Sequence, residues 1–194
     1  MKTFLAEIRS ALLATLVLAV VCCGLYPLIV YGLAQTLFHD KANGSLITAA
    51  DGTVRGSRLL GQQFTVDKYF HSRPSSAGNG YDAANSCGSN LGPTSQKLHD
   101  AIKDRVAAYR AENGIATNAP VPADAVTASA SGLDPHISVA NAQLQSVRVA
   151  KTRGLKVETV QALVEKFTEP PQLGLLGEPR VNVLELNLAL DKLM

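Results

Sequence analysis

No charged residue occurs from Ser10 to Phe38, and most positions in that run are Leu, Val, Ile or Ala. About 20 apolar residues cross a bilayer core, so the run is long enough to span a membrane with some tilt. Its polar or small interruptions are mild: Thr15, Gly24, Pro27, Gly32, Gln35 and Thr36. Pro27 has no amide hydrogen and is expected to kink or loosen the helix locally. Tyr26 and Tyr31 suit interfacial or partner-facing positions. A cleavable signal peptide has an apolar core of about 7–15 residues ending in small residues. This run is longer, and Val21 stands where a lipoprotein cleavage site needs a small side chain. An uncleaved anchor is expected. Lys2 and Arg9 precede the span, and His39, Asp40 and Lys41 follow it. Positive charge favours the cytoplasmic side. The expectation is a short cytoplasmic N-terminus over 1–9, a transmembrane helix over 10–38 and an extracytoplasmic soluble domain over 39–194.

Beyond the span the pattern becomes mixed. Asn43-Gly44-Ser45 and Asp51-Gly52-Thr53 bracket Leu46-Ile47, which predicts a small hairpin. Residues 72–93 are rich in Ser, Gly, Asn and Pro and read as a long loop. Thr94 or Ser95 can cap a helix that carries Leu98, Ile102, Val106 and Tyr109 on one face and stops at Gly114. Residues 115–135 read as irregular with one short turn. A second helix is expected from about Ser138 to Gly154, with Ala140, Leu144 and Val147 as its apolar stripe. A third is expected from about Lys156 to Thr168, with Val157, Val160, Leu163, Val164 and Phe167 inward, ended by Pro170-Pro171. Val181 to Leu186 alternates like a strand, and Asn187 to Leu193 suits a short helix. The fold class expected is a single N-terminal transmembrane helix followed by a small mixed α/β (α+β) domain.

Composition narrows the function. The 194 residues carry 18 Lys and Arg against 16 Asp and Glu, interleaved rather than gathered on one face. There is no Trp, and aromatics make up 5%, so no base-stacking surface or sugar platform is indicated. Together with the lack of a nucleic-acid-binding motif, this argues against a nucleic-acid partner. Cys22 and Cys23 lie inside the apolar run, and Cys87 stands alone in the soluble part.

Catalytic signatures are lacking. There is no Gly-x-x-x-x-Gly-Lys-Ser/Thr phosphate loop and no Gly-x-Gly-x-x-Gly turn. Gly88 and Gly92 frame Ser89-Asn90-Leu91, but no Lys follows to reach a phosphate. Ser131, Asp134 and His136 invite comparison with a nucleophilic triad, yet no Gly-x-Ser-x-Gly elbow surrounds the serine. Asp134-Pro135-His136 reads more simply as a turn in which Asp134 accepts backbone bonds. None of His39, His71, His99 and His136 has a neighbour at metal-ligand spacing. Neither catalytic nor metal-binding residues are assigned.

Several motifs carry a family resemblance. They are Tyr69-Phe70-His71-Ser72-Arg73-Pro74-Ser75, the run Ser86 to Thr94, the run Val126 to Ser138, Arg148 to Gly154, and Gly177 to Asn187. With the N-terminal span and Ala42-Asn43-Gly44-Ser45-Leu46-Ile47, they cover nearly the full length in order. The chain resembles the C subunit of the bacterial potassium-transporting Kdp ATPase. Cys87 departs from the pattern, a small residue such as Gly being usual there.

The resemblance implies a subunit of a high-affinity ATP-driven potassium importer in the bacterial inner membrane. Its partners would be a channel-like potassium-binding subunit, a P-type ATPase subunit and a small single-span subunit. The subunit would be non-catalytic, an assembly and catalytic chaperone that raises the ATP affinity of the ATPase subunit. ATP would then be met only in complex with that subunit. In keeping with this, the Asp-Lys-Thr-Gly-Thr phosphorylation signature of P-type pumps is absent, Asp40-Lys41 being followed by Ala42. An external domain and an effect on ATP stand in tension. Either the effect passes through the membrane subunits as a coupling free energy, or the orientation is reversed. The preferred reading is an external domain packed on the channel-like subunit near its potassium entrance. The candidates for partner contact are Tyr26, Pro27 and Tyr31 in the span, with Gly24 and Gly32 allowing close approach, and Arg73, Asn90, Asp134, His136 and Arg180 in the loops. The competing readings are a membrane-anchored hydrolase using Ser131, Asp134 and His136, and a free-standing anchored binding protein.

Overall fold

A computed structural model describes residues 2–193. The chain divides into two compact units, residues 1–46 and 47–194.

The first unit is a long helix: α1 (Lys2–Ala19), a π-helical segment (Val20–Leu25) and α2 (Tyr26–Leu37), then the single turn α3 (His39–Ala42). Phe4–Leu37 is 34 residues long and apolar enough to cross a membrane. At ~1.5 Å per residue it measures roughly 50 Å, well beyond a hydrocarbon core of ~30 Å. The helix therefore starts earlier than Ser10, since nothing between Lys2 and Arg9 breaks it, and it closes at Leu37, where Phe38 turns to φ −136° and ψ 41°. Pro27 does perturb the helix, and the perturbation takes a definite form. A proline ring collides with the carbonyl four residues back and offers that carbonyl no hydrogen. Here the preceding turn is widened, and the Tyr26 amide bonds the carbonyl of Val21, five residues back. The wide turn absorbs the proline without ending the helix.

The second unit holds the hairpin strands β1 (Leu46–Thr48) and β2 (Val54–Ser57), α4 (Gln96–Asn113), the turn α5 (Ala123–Val126), β3 (His136–Ser138), α6 (Val139–Arg153), α7 (Val157–Lys166), β4 (Thr168–Glu169), β5 (Arg180–Asn182) and α8 (Val183–Asp191). Gly114 and Gly154 end α4 and α6 in the left-handed conformation that glycine adopts without a Cβ clash. Strands β3, β5 and β4 form an antiparallel sheet in that order. His136 faces Asn182, Ser138 faces Arg180, and Glu169 faces Arg180 from the other side. The core collects Phe70, Ile137, Val149, Val160, Val164, Val181, Leu186 and Leu190. On α7 the expected stripe is the one that packs.

Two expectations are corrected. Strand character ends at Asn182 instead of running to Leu186. The Asn182 side chain accepts the Glu185 amide and caps α8, which starts four residues ahead of Asn187. On α6 the inward face is not Ala140, Leu144 and Val147. Val147 is exposed, and the buried face is Asn141, Ala142, Gln145, Ser146, Arg148 and Val149. Asn141, Gln145 and Arg148 recur at helical spacing, so this face is largely polar. The reason is what lies opposite it: for Gln145 and Arg148, irregular backbone whose peptide groups need partners, and for Asn141, the Tyr109 hydroxyl and Asp124.

Candidate functional site

Residues 67–75 have no strand of their own, yet Phe70 at their centre is fully buried. Side-chain amides from two helices replace the missing ladder. Asn187 on α8 accepts the Phe70 amide hydrogen at 2.8 Å and donates to its carbonyl at 2.9 Å. Gln145 on α6 does the same for His71, at 2.7 and 3.0 Å. Arg148 donates to the carbonyls of Tyr69 and Asp67 and to Gln145 Oε1. Burial lowers the Arg148 guanidinium, against the pull of Glu112 and Asp67. Glu112 Oε1 lies 2.8 Å from His71 Nδ1 and 3.4 Å from Arg148 Nε, and the hydrogen bond from His71 lowers its carboxyl. Asn141 extends the network, accepting from Tyr109 Oη at 2.7 Å and donating to Asp124 at 2.9 Å. Burial pushes the Tyr109 phenol well up. His71, Tyr109, Glu112, Asn141 and Gln145 border a cleft of about 290 Å³ that also takes in Arg73, Tyr81 and Arg105.

Arg73, at the end of this segment, starts a line in which nitrogen-bearing side chains and carboxylates alternate. Its Nη1 donates to Asp134 Oδ2 at 2.8 Å. His136 Nδ1 lies 3.6 Å from Asp134, and His136 Nε2 lies 3.8 Å from Glu169. Arg180 Nε closes the line by donating to Glu169 at 3.0 Å. Burial raises the Asp134 carboxyl, but hydrogen bonds from the His136 side chain and backbone and from Arg73 outweigh it and hold it at about 2. The sheet explains the assembly, since Glu169 and Arg180 are register partners and His136 sits on β3 across β5. Arg73, Asp134, His136 and Arg180 border a second hollow of about 420 Å³ with Asp124 and Glu178.

The long loop 72–93 is pinned where two of the sequence motifs meet. Ser75 Oγ donates to the Gly132 carbonyl at 2.7 Å and Ser86 Oγ to the Ser131 carbonyl at 2.9 Å. Gly132 has φ +69°, and a Cβ there would lie 2.7 Å from Ala77 N, so only glycine lets the strands of loop approach this closely.

Of the residues singled out from the sequence, Arg73, Asp134, His136 and Arg180 come together. Asn90 does not join them. It lies exposed in the loop at φ 51°. Tyr26, Pro27 and Tyr31 lie on the N-terminal helix, where both tyrosines are exposed. Ser131 does not face His136 as a nucleophile faces its base. Its hydroxyl is engaged by Ser129 Oγ and the Leu133 amide, and both imidazole nitrogens face carboxylates. Among the described residues no group of three or more His, Cys, Asp and Glu side chains converges to hold a metal. Sequence reasoning missed Glu169, Gln145, Glu112 and Asn187. Glu169 immediately precedes Pro170-Pro171, but nothing local marks the others.

The family model described as "K+-transporting ATPase, c chain" matches residues 8–192. The chain belongs to this family, KdpC. Its relatives include the "Potassium-transporting ATPase KdpC subunit" of Nitratidesulfovibrio vulgaris, 57% identical over 97% of this chain and 95% of the relative. The KdpC subunit of Koribacter versatilis is 55% identical over 94% of this chain and 92% of its own length. That of Mycobacterium tuberculosis is 55% identical over 96% and 98%. KdpC chains are thus matched along the N-terminal helix and the soluble domain alike. Membership and the apolar helix together point to a membrane location.

Proposed function

We propose that this chain is a non-catalytic accessory subunit of a potassium-importing P-type ATPase. It docks on its partner subunits through both the membrane helix and the soluble domain. The observation that carries the reading is near-full-length membership of KdpC, joined to a line of polar side chains in which Arg73 bonds Asp134 and Arg180 bonds Glu169. These two pairs, with the His136 ring between their carboxylates, suit a rigid surface for recognition better than a reacting centre.

The N-terminus is cytoplasmic in this reading, and residues 39–194 lie outside the inner membrane against the channel-like potassium-binding subunit. A P-type ATPase subunit and a small single-span subunit complete the complex. The chain acts as an assembly and catalytic chaperone that raises the ATP affinity of the ATPase subunit. Because ATP is on the other face of the membrane, the effect is a coupling free energy carried by the membrane subunits. The membrane helix supports this. A Cβ added at Gly24 or Gly32 would meet nothing within 4 Å of its own chain, so their smallness serves no packing within the chain and suits close approach by another helix.

The test is to purify the ATPase with and without this chain. The reading expects co-purification with the larger subunits in mild detergent and a higher KM for ATP when the chain is absent. A chain that elutes alone, or a KM that does not change, overturns it.

A further inference from the structure

The connection between β4 and β5, residues 170–179, turns its leucines outward. Leu173 is 90% exposed, Leu175 87% and Leu176 60%. No charged side chain lies between Glu169 and Glu178. The turn is well defined. Gln172 and Leu176 exchange backbone hydrogen bonds at 2.9 Å in each direction, and the Gly174 amide donates to the Pro171 carbonyl at 3.0 Å. Pro170 and Pro171 restrict the approach. Leu173 adopts φ 54°, a left-handed conformation that is rare and strained for a bulky side chain. For the chain on its own, both features are unfavourable. Asn or Gly would suit the Leu173 backbone better, and water is a poor environment for three neighbouring leucines. The hairpin thus presents a rigid apolar knob, and its base strands carry Glu169 and Arg180 of the charged line.

We propose that the Leu173–Leu176 knob is the anchor that seats this chain in an apolar pocket with a basic rim on another subunit of the ATPase. The proposal deepens the docking role assigned to the soluble domain and rests on it. Charge selects the occupant. Glu169 is paired with Arg180, which leaves the exposed Glu178 as the charge at the foot of the knob. A phospholipid surface attracts basic flanks, and a loop that enters it usually brings Trp or Tyr. This loop has neither. Two copies meeting knob to knob would bring their Glu178 side chains together. A protein pocket lined by apolar groups and rimmed by Lys or Arg satisfies both the leucines and the acid, with the buried centre and charged margin of an interface anchor.

The full chain is expressed with the remaining subunits, extracted in mild detergent and assayed for co-purification, and the isolated full chain is melted in the same detergent. The Leu173→Ser/Leu175→Ser/Leu176→Ser variant is expected to lose association by at least ~10-fold, with the melting midpoint of the isolated chain unchanged or raised. Leu173→Asn, which tolerates the left-handed backbone, is expected to weaken association while the midpoint holds or rises. A benzophenone side chain at position 175 is expected to cross-link another subunit of the ATPase. Undiminished co-purification of the triple variant overturns the knob while leaving the docking role intact. So does a cross-link to lipid or to a second copy of this chain, and so does a fall in the midpoint of both variants. Wild-type chain that fails to co-purify overturns the docking role itself.

Discussion

Gln145 pairs with both peptide groups of His71, accepting its amide hydrogen at 2.7 Å and donating to its carbonyl at 3.0 Å. The same side chain accepts from Arg148 at 2.8 Å and donates to Asn141 at 2.9 Å. Every hydrogen-bonding site of this amide is therefore used. Gln145→Leu keeps the volume but strands the His71 amide and carbonyl and removes one of the Arg148 hydrogen bonds. A loss of about 2–4 kcal/mol is expected, seen as a fall of roughly 5–10 °C in the unfolding midpoint of the purified chain. A midpoint within about 1 °C of wild type would show that segment 67–75 is held by other contacts.

Acid sensitivity follows from Asp134. Its carboxyl ordinarily titrates at 3.8 and is held at about 2 in the fold, so the folded state binds its proton more weakly than the unfolded chain does. Ionised Asp134 therefore contributes stability above about pH 4, and that contribution is lost as pH falls toward 2. Its size is about 2 kcal/mol. Arg73 and His136 face it directly, and Glu169 and Arg180 complete the line. Asp134→Asn is expected to be less stable than wild type near pH 6, with the gap closing by about pH 2. Urea unfolding of both proteins across that range measures it, and a gap that persists unchanged at pH 2 rules the mechanism out.

The space beside Gly32 is open within its own chain. Gly32→Leu should leave the helicity of the isolated chain the same or slightly higher, since Gly is worth about 1 kcal/mol less than Ala in a helix. If another membrane helix packs there, assembly of the complex should fall several-fold. Circular dichroism of the chain and gel filtration of the complex separate the two effects. Normal assembly would place Gly32 against lipid.

Orientation can be read directly. Glu158 and Lys166 are exposed on α7. Single cysteines at these positions, in a background without Cys22, Cys23 and Cys87, should react with a membrane-impermeant thiol reagent on intact cells. Reaction only after the membrane is opened would place the domain on the ATP side and make a direct role in nucleotide binding the leading mechanism.

The parts of the fold that sequence reasoning captured are those with local causes. Ser138 and Gly154 bound α6, and Gly114 stops α4, because capping is decided within a few residues. The α7 stripe is legible because its partners are apolar. The inward face of α6 is not, because Gln145 and Arg148 are buried for the sake of backbone 74 to 81 residues earlier, and Asn141 for the Tyr109 hydroxyl and the Asp124 carboxylate. The strand expected at Val181 to Leu186 stops at Asn182 for a related reason. Alternation there competes with the Asn182 to Glu185 cap, and the cap wins. Arg73, Asp134, His136 and Arg180 could be chosen as polar residues in irregular motifs. Their meeting around Glu169 depends on sheet register, which no local pattern encodes.

The wide turn over Val20–Leu25 has a consequence for how the gene can change. It bonds five residues back where an α turn bonds four, so it carries one residue of slack. Removing a codon from most of the helix would rotate everything on one side of the cut by ~100° relative to the other, scrambling which side chains face a neighbour. Removing one from this turn, with Pro27 replaced by a residue that has an amide hydrogen, would leave both halves in phase. The membrane helix thus has one place where its reading length can change by a single residue while Tyr31 and the residues of α1 keep their bearings.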